Sequence, residues 1–318
     1  MTALTGTHKI QHAKNRFQET KMIGKNGLGW IPDYPDFRDY TEDTAEVKEI
    51  LKPSGLPHPT AGKKSRKWPS LPAAVDLREW CPPIEDQGQI GSCTAQAGVG
   101  VIEYYERKAF GRHIDASRLF LYKVTRNLMK MKGDTGAYLR STIGAMVLFG
   151  VPPEEYWPYT GDDKGFDNEP PAFCYSFAQN YKTITYYRHD PPSATPEAII
   201  NKVKTYLAAG HPAMFGFTVY SSVEQASDTG KIPFPSRRDK IEGGHAVVTV
   251  GYDDKIEIKN RYSDEETVGA LLVRNSWGKD WGENGYGWLP YEYIKKGLAE
   301  DFWSVLKKEW IDTGEFRI

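Results

Sequence analysis

Two kinds of hydrophobic periodicity divide this chain into a helical part and a strand-rich part. After Cys93, apolar residues recur at spacings of three and four up to Gly111, which predicts a long helix that ends at the glycine. Similar spacing predicts further helices over residues 117–127, 135–149 and 195–209. From residue 212 onward the period changes to two, which predicts strands over residues 212–220, 245–252, 267–274 and 286–290, with a short helix over 290–295.

The order of these elements predicts an α+β fold with two lobes. We expect a mostly helical lobe over residues 71–190, which carries Cys93, and a β-rich lobe over residues 191–318. Residues 154–190 are irregular and aromatic with several prolines, and we interpret them as the crossing between the lobes. Two lobes of different character predict a cleft between them, where ligand sites are common.

Residues 1–70 are predicted to form an N-terminal extension. Its polar start has no periodicity, and residues 27–40 combine prolines, aspartates and aromatic residues, which favours extended, ordered chain over helix. Residues 41–51 predict a short helix with Val47 and Leu51 on one face. A basic run over residues 63–67 indicates a solvated linker, with a processing site as the sharper alternative.

Composition narrows the functional classes. The 318 residues suffice for about two domains, and the net charge of −1 gives no support for a nucleic acid partner. No run approaches the ~18 apolar residues of a membrane helix, and the first thirty residues lack the apolar run of a signal peptide. Three cysteines are too few for a disulfide framework, so we expect a reducing, cytoplasmic location, with a bridge between Cys81 and Cys174 left open.

Residues 86–97, with the sequence DQGQIGSCTAQA, predict a sulfur nucleophile. Cys93 lies in the first turn of the predicted helix, where the positive end of the helix dipole favours thiolate over thiol. Ser92, just before it, is a good N-cap residue for that helix. Gln87 brings side-chain N–H donors back toward the same sulfur, as an oxyanion hole requires.

The base that this nucleophile needs is predicted to be His245. It lies 152 residues beyond Cys93 (245 − 93), near the spacing of about 130–150 that is common for this type of site. It begins an apolar strand after two glycines, the second of them Gly244, which lets its ring face a cleft. Asn275 is a candidate to hold the far side of the imidazole, and Trp277 a candidate to shield that hydrogen bond from water.

The chain resembles the papain family of cysteine peptidases in four segments, which occur in the order of the family: LPAAVDLREW, QGQIGSCTA, GGHAVVTVGY and NSWGKDWGENGYG. The last segment is the most specific, because two WG pairs stand four residues apart. The resemblance runs from about Leu71 to Gly287. It implies a papain-like fold with a β-barrel-like second lobe and the active site in the cleft. It also implies hydrolysis of peptide or protein substrates through a Cys93, His245 and Asn275 triad and an acyl-enzyme, without a cofactor.

The resemblance has implications outside the triad as well. Gly136, in a Gly-rich turn, is a candidate for contact with an extended substrate, and a purely conformational role is about as well supported. Extensions at this place often cross the cleft in the family, so we expect residues 27–40 to cover the site partly, as an inhibitor within the chain. The sequence departs from the family at Thr94, where a tryptophan is usual, and at Ile90, where many relatives place a half-cystine.

Two other kinds of function are kept as alternatives. An aminopeptidase, amidase or transferase would use the same triad. For an exopeptidase, the long polar stretch over residues 224–242 is the insertion that would block one end of the cleft. A non-catalytic binding module would keep the fold and the residues with a permanently closed cleft. We expect no metal site, because His8 and His12 are four residues apart without a further ligand set.

Overall fold

The computed structural model describes residues 21–23, 26–56, 70–161, 165–181, 185–264 and 266–316. The basic run predicted over residues 63–67 and the histidines at positions 8 and 12 lie outside these described residues. The described α-helices are α1 (Ala45–Leu51), α2 (Cys93–Phe110), α3 (Arg118–Leu128), α4 (Leu139–Phe149), α5 (Ala172–Ala178), α6 (Pro196–Ala208), α7 (Tyr291–Lys295) and α8 (Lys308–Ile311). The described strands are β1 (Lys21–Ile23), β2 (Asn26–Leu28), β3 (Ala74–Asp76), β4 (Thr185–Arg188), β5 (Ala213–Tyr220), β6 (Ile241–Lys259), β7 (Glu266–Arg274), β8 (Tyr286–Pro290) and β9 (Ala299–Leu306).

The longest helix, α2, forms the centre of the helical half. Every residue over 93–105 is buried, because the helix packs on α3, α4 and the β6 strand. A helix surrounded in this way must pair its polar side chains, and Glu103 accepts hydrogen bonds from the Arg118 guanidinium at 3.2 Å. The helix ends as predicted at Gly111, whose φ of 71° lies in the left-handed region. Among the helices of the described residues, none is long and apolar enough to cross a bilayer.

Seven of the described strands form one antiparallel sheet, and five of the seven come from residues after 190. Six of them follow the order β4-β9-β5-β6-β7-β8, and β3 pairs with β6 outside that path. The sheet is open, so the lobe that the resemblance predicted as barrel-like is not a closed barrel. β6 is far longer than the predicted 245–252, because register shifts at two points let one strand continue while it pairs with β5, β3 and β7.

Several elements differ from the sequence pattern for identifiable reasons. α4 begins four residues later than predicted, because residues 133–136 form a turn in which Gly133 and Gly136 have positive φ. α5 and β4 lie inside the segment that we interpreted as irregular. β9 escaped prediction because its alternation is masked by the buried polar residues Asp301 and Ser304, which find partners on other elements.

The N-terminal extension lies against both halves of the fold. We call residues 26–33 the strap and residues 41–56 the dock. The strap begins with β2, which pairs with β1 in an antiparallel ladder, and continues as extended chain. Its backbone is hydrogen-bonded to Ala137 of the helical half and to Gly244 of the sheet half. The extension therefore connects the two halves next to the N-terminal end of α2.

The dock is part of the hydrophobic core. Val47 and Leu51, predicted on one face of α1, are completely buried. Glu42 forms an ion pair of 2.8 Å with Lys202 of α6, and both side chains are buried. Breaking a buried pair by removing one partner costs about 3–5 kcal/mol, because a charge is left without its counterion. The dock therefore stabilises the protein and is more than a peripheral tail.

Candidate active site

Cys93 is the first residue of α2 and is completely buried. Burial raises the pKa of its thiol to about 12, while the backbone N–H groups of Ala246, Gly29 and Thr94 act on the sulfur in the opposite direction. These donors come from different parts of the fold, since Ala246 follows His245 on β6 and Gly29 belongs to the strap. The sulfur therefore lies where α2, β6 and the strap meet.

The residue before the nucleophile, Ser92, stands at the predicted N-cap position of α2, but its hydroxyl does not cap the helix. Its side chain makes no capping hydrogen bond. Its hydroxyl lies instead 2.6 Å from the hydroxyl of Tyr159, which in turn donates to the carbonyl oxygen of Gln87 at 2.8 Å. A tertiary partner thus competes successfully for the serine hydroxyl, and the two bonds tie the loop before Cys93 to Tyr159.

His245 and Asn275 form a hydrogen-bonded pair. The Nε2 atom of His245 lies 2.7 Å from Oδ1 of Asn275, and this oxygen also accepts from the backbone N–H of Ser276 at 2.8 Å. Because a carbonyl oxygen can only accept, the proton of the neutral imidazole is on Nε2. The Nδ1 atom then offers a free lone pair, and it has no hydrogen-bond partner within the described residues. Burial lowers the pKa of His245 to about 4, against the raising effect of the Asn275 bond.

Trp277 covers this pair. Its ring stacks on the imidazole of His245 with centroids 4.5 Å apart and 29° between the planes. Trp281 packs edge-on against Trp277 at 5.4 Å and keeps that ring in place. The tryptophan thus lies where it can exclude water from the imidazole.

Gln87 is completely buried, and both ends of its amide are engaged. The hydroxyl of Ser276 donates to Oε1 at 2.7 Å, which fixes the orientation of the amide. The Nε2 atom then donates to the carbonyl oxygens of Gly27 at 3.0 Å and Ile90 at 2.9 Å. A backbone oxygen of the strap therefore takes the N–H that we predicted for an oxyanion.

The strap runs past the nucleophile with its backbone bound to both walls of the cleft. The Trp30 N–H donates to the Gly244 carbonyl at 3.0 Å. The Ala137 N–H donates to the Gly29 carbonyl at 2.7 Å, and the Ile31 N–H donates to the Ala137 carbonyl at 3.0 Å. Trp30 and Ala137 accordingly form a parallel bridge. These are the contacts that an extended peptide makes when it adds to the edge of a sheet.

The closest approach occurs at Gly29. A Cβ atom at this position would overlap the backbone of Gly91, so only glycine fits while the strap is bound. On the other wall, the hydrogen bonds to the strap come from Ala137, next to the predicted Gly136. The N–H of Gly136 itself donates to the hydroxyl of Tyr122 at 3.1 Å, which holds the turn.

The side chain of Trp30 fills a pocket beside the nucleophile. Its ring lies so close to Gly216 and Gly244 that a Cβ atom at either position would overlap or crowd it. The indole N–H donates to Oδ2 of Asp301 at 3.2 Å. Burial raises the pKa of Asp301 to about 7, although Arg188, 3.1 Å away, acts in the opposite direction.

Two arginines of the body hold the end of the strap. Arg140 forms ion pairs with Asp33 and with Asp39, the latter at 2.7 Å. Arg188 donates to the backbone carbonyl of Asp33 at 3.2 Å. Charges therefore supplement the backbone bonds that fix the strap in the cleft.

Sequence reasoning missed several residues that support this arrangement. Ser276, which orients Gln87, stands inside the NSWG motif and could have been found there. Tyr159 and Asp134 contact the loop before the nucleophile, but both lie in irregular chain where no pattern marks them.

The described residues contain no group of three or more His, Cys, Asp or Glu side chains that could hold a metal ion. All three cysteines are free thiols, so the bridge left open between Cys81 and Cys174 is not formed.

Three comparisons with known proteins agree with each other. A family model described as papain family cysteine protease matches residues 71–304. An uncharacterised peptidase C1-like protein of Acanthamoeba polyphaga mimivirus is 33% identical over 297 residues, which covers 90% of this chain and 88% of the relative. Cathepsin K of Gallus gallus is 30% identical over 276 residues, covering 85% of this chain and 74% of the relative.

Among solved structures, xylellain, a cysteine protease from Xylella fastidiosa, is similar with a TM-score of 0.69 and 36% sequence identity. The similarity covers 90% of this chain and 97% of that one. The predicted papain-like α+β fold is thereby confirmed, with an open antiparallel sheet in its second half.

Proposed function

Because the chain belongs to the papain family of cysteine proteases, we propose that it hydrolyses peptide bonds with Cys93 as nucleophile, His245 as base and acid, and Asn275 as the orienting residue. One observation carries this assignment. The Asn275 bond keeps the imidazole proton on Nε2 and leaves Nδ1 free, while the next residue along β6, Ala246, directs its N–H at the Cys93 sulfur.

The proposed reaction is acyl transfer to the sulfur followed by hydrolysis. The Cys93 proton passes to Nδ1 of His245, and the thiolate attacks the peptide carbonyl carbon while an electron pair moves onto the oxygen. That oxyanion takes the Gln87 N–H now bound to Gly27. The imidazolium then protonates the leaving amine as the C–N bond breaks. Water, deprotonated by His245, cleaves the thioester and restores the thiol.

We further propose that the strap inhibits this reaction. Three observations support inhibition: Gly27 occupies the Gln87 donor, Gly29 lies over the sulfur, and Trp30 fills the adjoining pocket. Burial under the strap also favours neutral Cys93 and neutral His245, so the reactive ion pair is disfavoured. Substrate can bind only after the strap has left.

An endopeptidase is favoured over the exopeptidase alternative. The insertion over residues 224–242 packs on β8 and α7, with the Ile232 N–H bonded to the Trp288 carbonyl at 3.0 Å and the Pro233 carbonyl bonded to the Tyr293 hydroxyl at 3.0 Å. No described residue of that insertion bonds to the strap.

The free state of the cysteines supports a reducing, cytoplasmic location, which we also propose.

The test uses the full chain with a weakened strap, because removing residues 1–70 would also remove the dock from the core. We define the opened variant as Gly29→Ala combined with Trp30→Ala. It is compared with wild type, with Gly144→Ala as a matched control, since a Cβ at Gly144 meets nothing within 4 Å. Each protein is incubated with a peptide library, and cleavage products are identified by mass spectrometry.

The proposal expects internal cleavage by the opened variant, much less by wild type and by Gly144→Ala, and none when Cys93→Ala is added. Release of only terminal residues would favour the exopeptidase. A folded opened variant whose Cys93 is alkylated by iodoacetamide without any cleavage would point to an amidase or transferase. Absence of both cleavage and alkylation would favour the binding module.

A further inference from the structure

One carboxylate joins the loop before the nucleophile to the turn that binds the strap. Asp134 accepts from the backbone N–H of Gly91 through both oxygens, at 2.9 Å and 3.1 Å. Its Oδ1 atom also accepts from the hydroxyl of Tyr122 at 2.5 Å. That hydroxyl accepts in turn from the N–H of Gly136 at 3.1 Å. A continuous chain of hydrogen bonds therefore runs from Gly91 to Gly136.

Both ends of this chain lie beside the proposed chemistry. Gly91 stands two residues before Cys93, and its neighbour Ile90 accepts a hydrogen bond from Gln87. A displacement of Gly91 would therefore move the nucleophile and the oxyanion donor together. At the other end, Gly136 precedes Ala137, whose N–H and carbonyl bind the strap backbone.

No covalent link ties these two segments, since all three cysteines are free and none lies in either. We propose that Asp134 is a positioning residue that fixes the separation between the nucleophile loop and the wall that binds the substrate backbone. This inference rests on the proposed peptidase function and extends it to a residue outside the triad.

The charge of Asp134 argues for a geometric role. Burial is the largest cause of the raised pKa of the Cys93 thiol, and the Asp134 carboxylate raises this pKa further. The charge of Asp134 therefore opposes formation of the thiolate nucleophile. The other titratable groups facing it are Tyr122 and Tyr159, whose pKa values are raised mainly by burial, so both stay neutral. Arg126 lies over the Tyr122 ring at 4.1 Å from its centroid. The advantage of an aspartate here lies in its acceptors and not in its charge.

The substitution of Asp134 by Asn separates these two properties. Asparagine keeps an Oδ1 acceptor for both Gly91 and Tyr122 and removes the charge, whereas alanine removes both. Misplacement of reacting groups by about 1 Å can cost about 10² in rate. In the opened variant we expect Asp134→Ala to lower kcat/KM by about 10²-fold. We expect Asp134→Asn to stay within about tenfold of the parent and to shift Cys93 alkylation by iodoacetamide to lower pH.

Tyr122→Phe removes the hydroxyl that links Asp134 to Gly136, and with it the bonds to both of these residues. We expect it to raise KM by about tenfold with a smaller change in kcat, because it loosens the binding wall and leaves Gly91 bound to Asp134. The matched control is Asp264→Ala, an exposed aspartate in the loop between β6 and β7. Circular dichroism checks folding, and peptide-level hydrogen exchange follows the amides over residues 88–92 and 133–137.

The outcomes separate this inference from the proposed function. If the opened variant cleaves no peptide, the proposed function fails, and hydrogen exchange alone decides the positioning role. Faster exchange in both segments for Asp134→Ala, but not for Asp264→Ala, supports it. If the opened variant is active, equal kinetics for Asp134→Ala and Asp264→Ala overturn it, as does an equal loss for Asp134→Asn and Asp134→Ala. If Asp134→Ala does not fold, an unchanged KM in Tyr122→Phe overturns it.

Discussion

The side-chain amide of Gln87 donates a hydrogen bond of 3.0 Å to the backbone carbonyl of Gly27. A peptide carbonyl of the chain itself thus occupies the N–H donor that we assign to the oxyanion. The carbon of that carbonyl is not attacked, because it is the N–H of Gly29, two residues later, that is directed at Cys93. The protein therefore binds a piece of its own backbone without presenting it to the sulfur as a substrate.

Loosening the strap should make Cys93 reactive. Burial raises its thiol pKa to about 12, and contact with water returns a thiol toward about 8.5, so the thiolate fraction at pH 7 increases. We expect iodoacetamide to alkylate Cys93 at least about tenfold faster in Gly29→Ala than in wild type. Mass spectrometry of the labelled peptide measures the rate. Gly144→Ala should behave as wild type, and equal rates in all three proteins would show that the strap does not protect the thiol.

Removing the proposed oxyanion donor should lower turnover more than substrate binding. In the opened variant, Gln87→Ala should reduce kcat by about 10²–10³, the usual effect of losing one such donor. Ser276→Ala leaves the amide in place but removes the bond of 2.7 Å that orients it, so a loss of about tenfold is expected. Steady-state kinetics measures both. Gln89→Ala, at an exposed glutamine in the same loop, is the control, and a similar loss there would remove the argument.

The Asn275 bond should set the alkaline limit of activity. Burial lowers the pKa of His245 and the Asn275 bond opposes this effect, so Asn275→Ala lowers the pKa further. The imidazolium must persist to protonate the leaving amine. In the opened variant the alkaline limb of the kcat/KM profile should therefore move to lower pH, with a loss of about 10-fold or more in rate. Asn201→Ala on α6 should leave the profile unchanged. An alkaline limb that stays fixed in Asn275→Ala would contradict the assigned role.

The buried His211 should make the protein sensitive to acid. Burial lowers its pKa from 6.5 to about 3, and its Nε2 atom lies 3.2 Å from the hydroxyl of Ser54 in the dock. Since the folded pKa is the lower one, its contribution to stability is complete above pH 6.5 and is lost as the pH falls toward 3.

Between pH 6.5 and pH 4.5 wild type should therefore lose about 2 kcal/mol more of its free energy of unfolding than His211→Gln does. Urea denaturation at pH 6.5 and pH 4.5 measures the difference. His245 contributes equally to both proteins and cancels in this comparison, and the effect of His211 on the pKa of His189, the last of its causes, acts in the same direction. Parallel losses in the two proteins would rule out His211 as the source.

The fold was predictable because its determinants are periodic or carried by specific motifs. The spacing after Cys93 defined α2, and alternation defined β5, β7 and β8 to within a residue. β9 was not predictable, because Asp301 looks like a solvent-facing residue until the fold places Arg188 of β4 beside it. Burial of a charge depends on partners that are remote in the sequence.

The same distinction applies to the site. Cys93, His245 and Asn275 were proposed from their local settings, and the structure brings their elements together. Their roles stay predictions until tested. The Ser92 hydroxyl stands at the N-cap position but bonds to Tyr159 and not to a helix N–H, a competition that only the tertiary structure decides.

The burial of the dock affects how processing of this protein would look in the laboratory. Because Glu42, Val47 and Leu51 are anchored in the body, a backbone cut after Leu56 would yield two polypeptides that separate on a denaturing gel. The same sample should still elute from gel filtration as a single species. A smaller band on the denaturing gel would then not show that the strap has left the cleft.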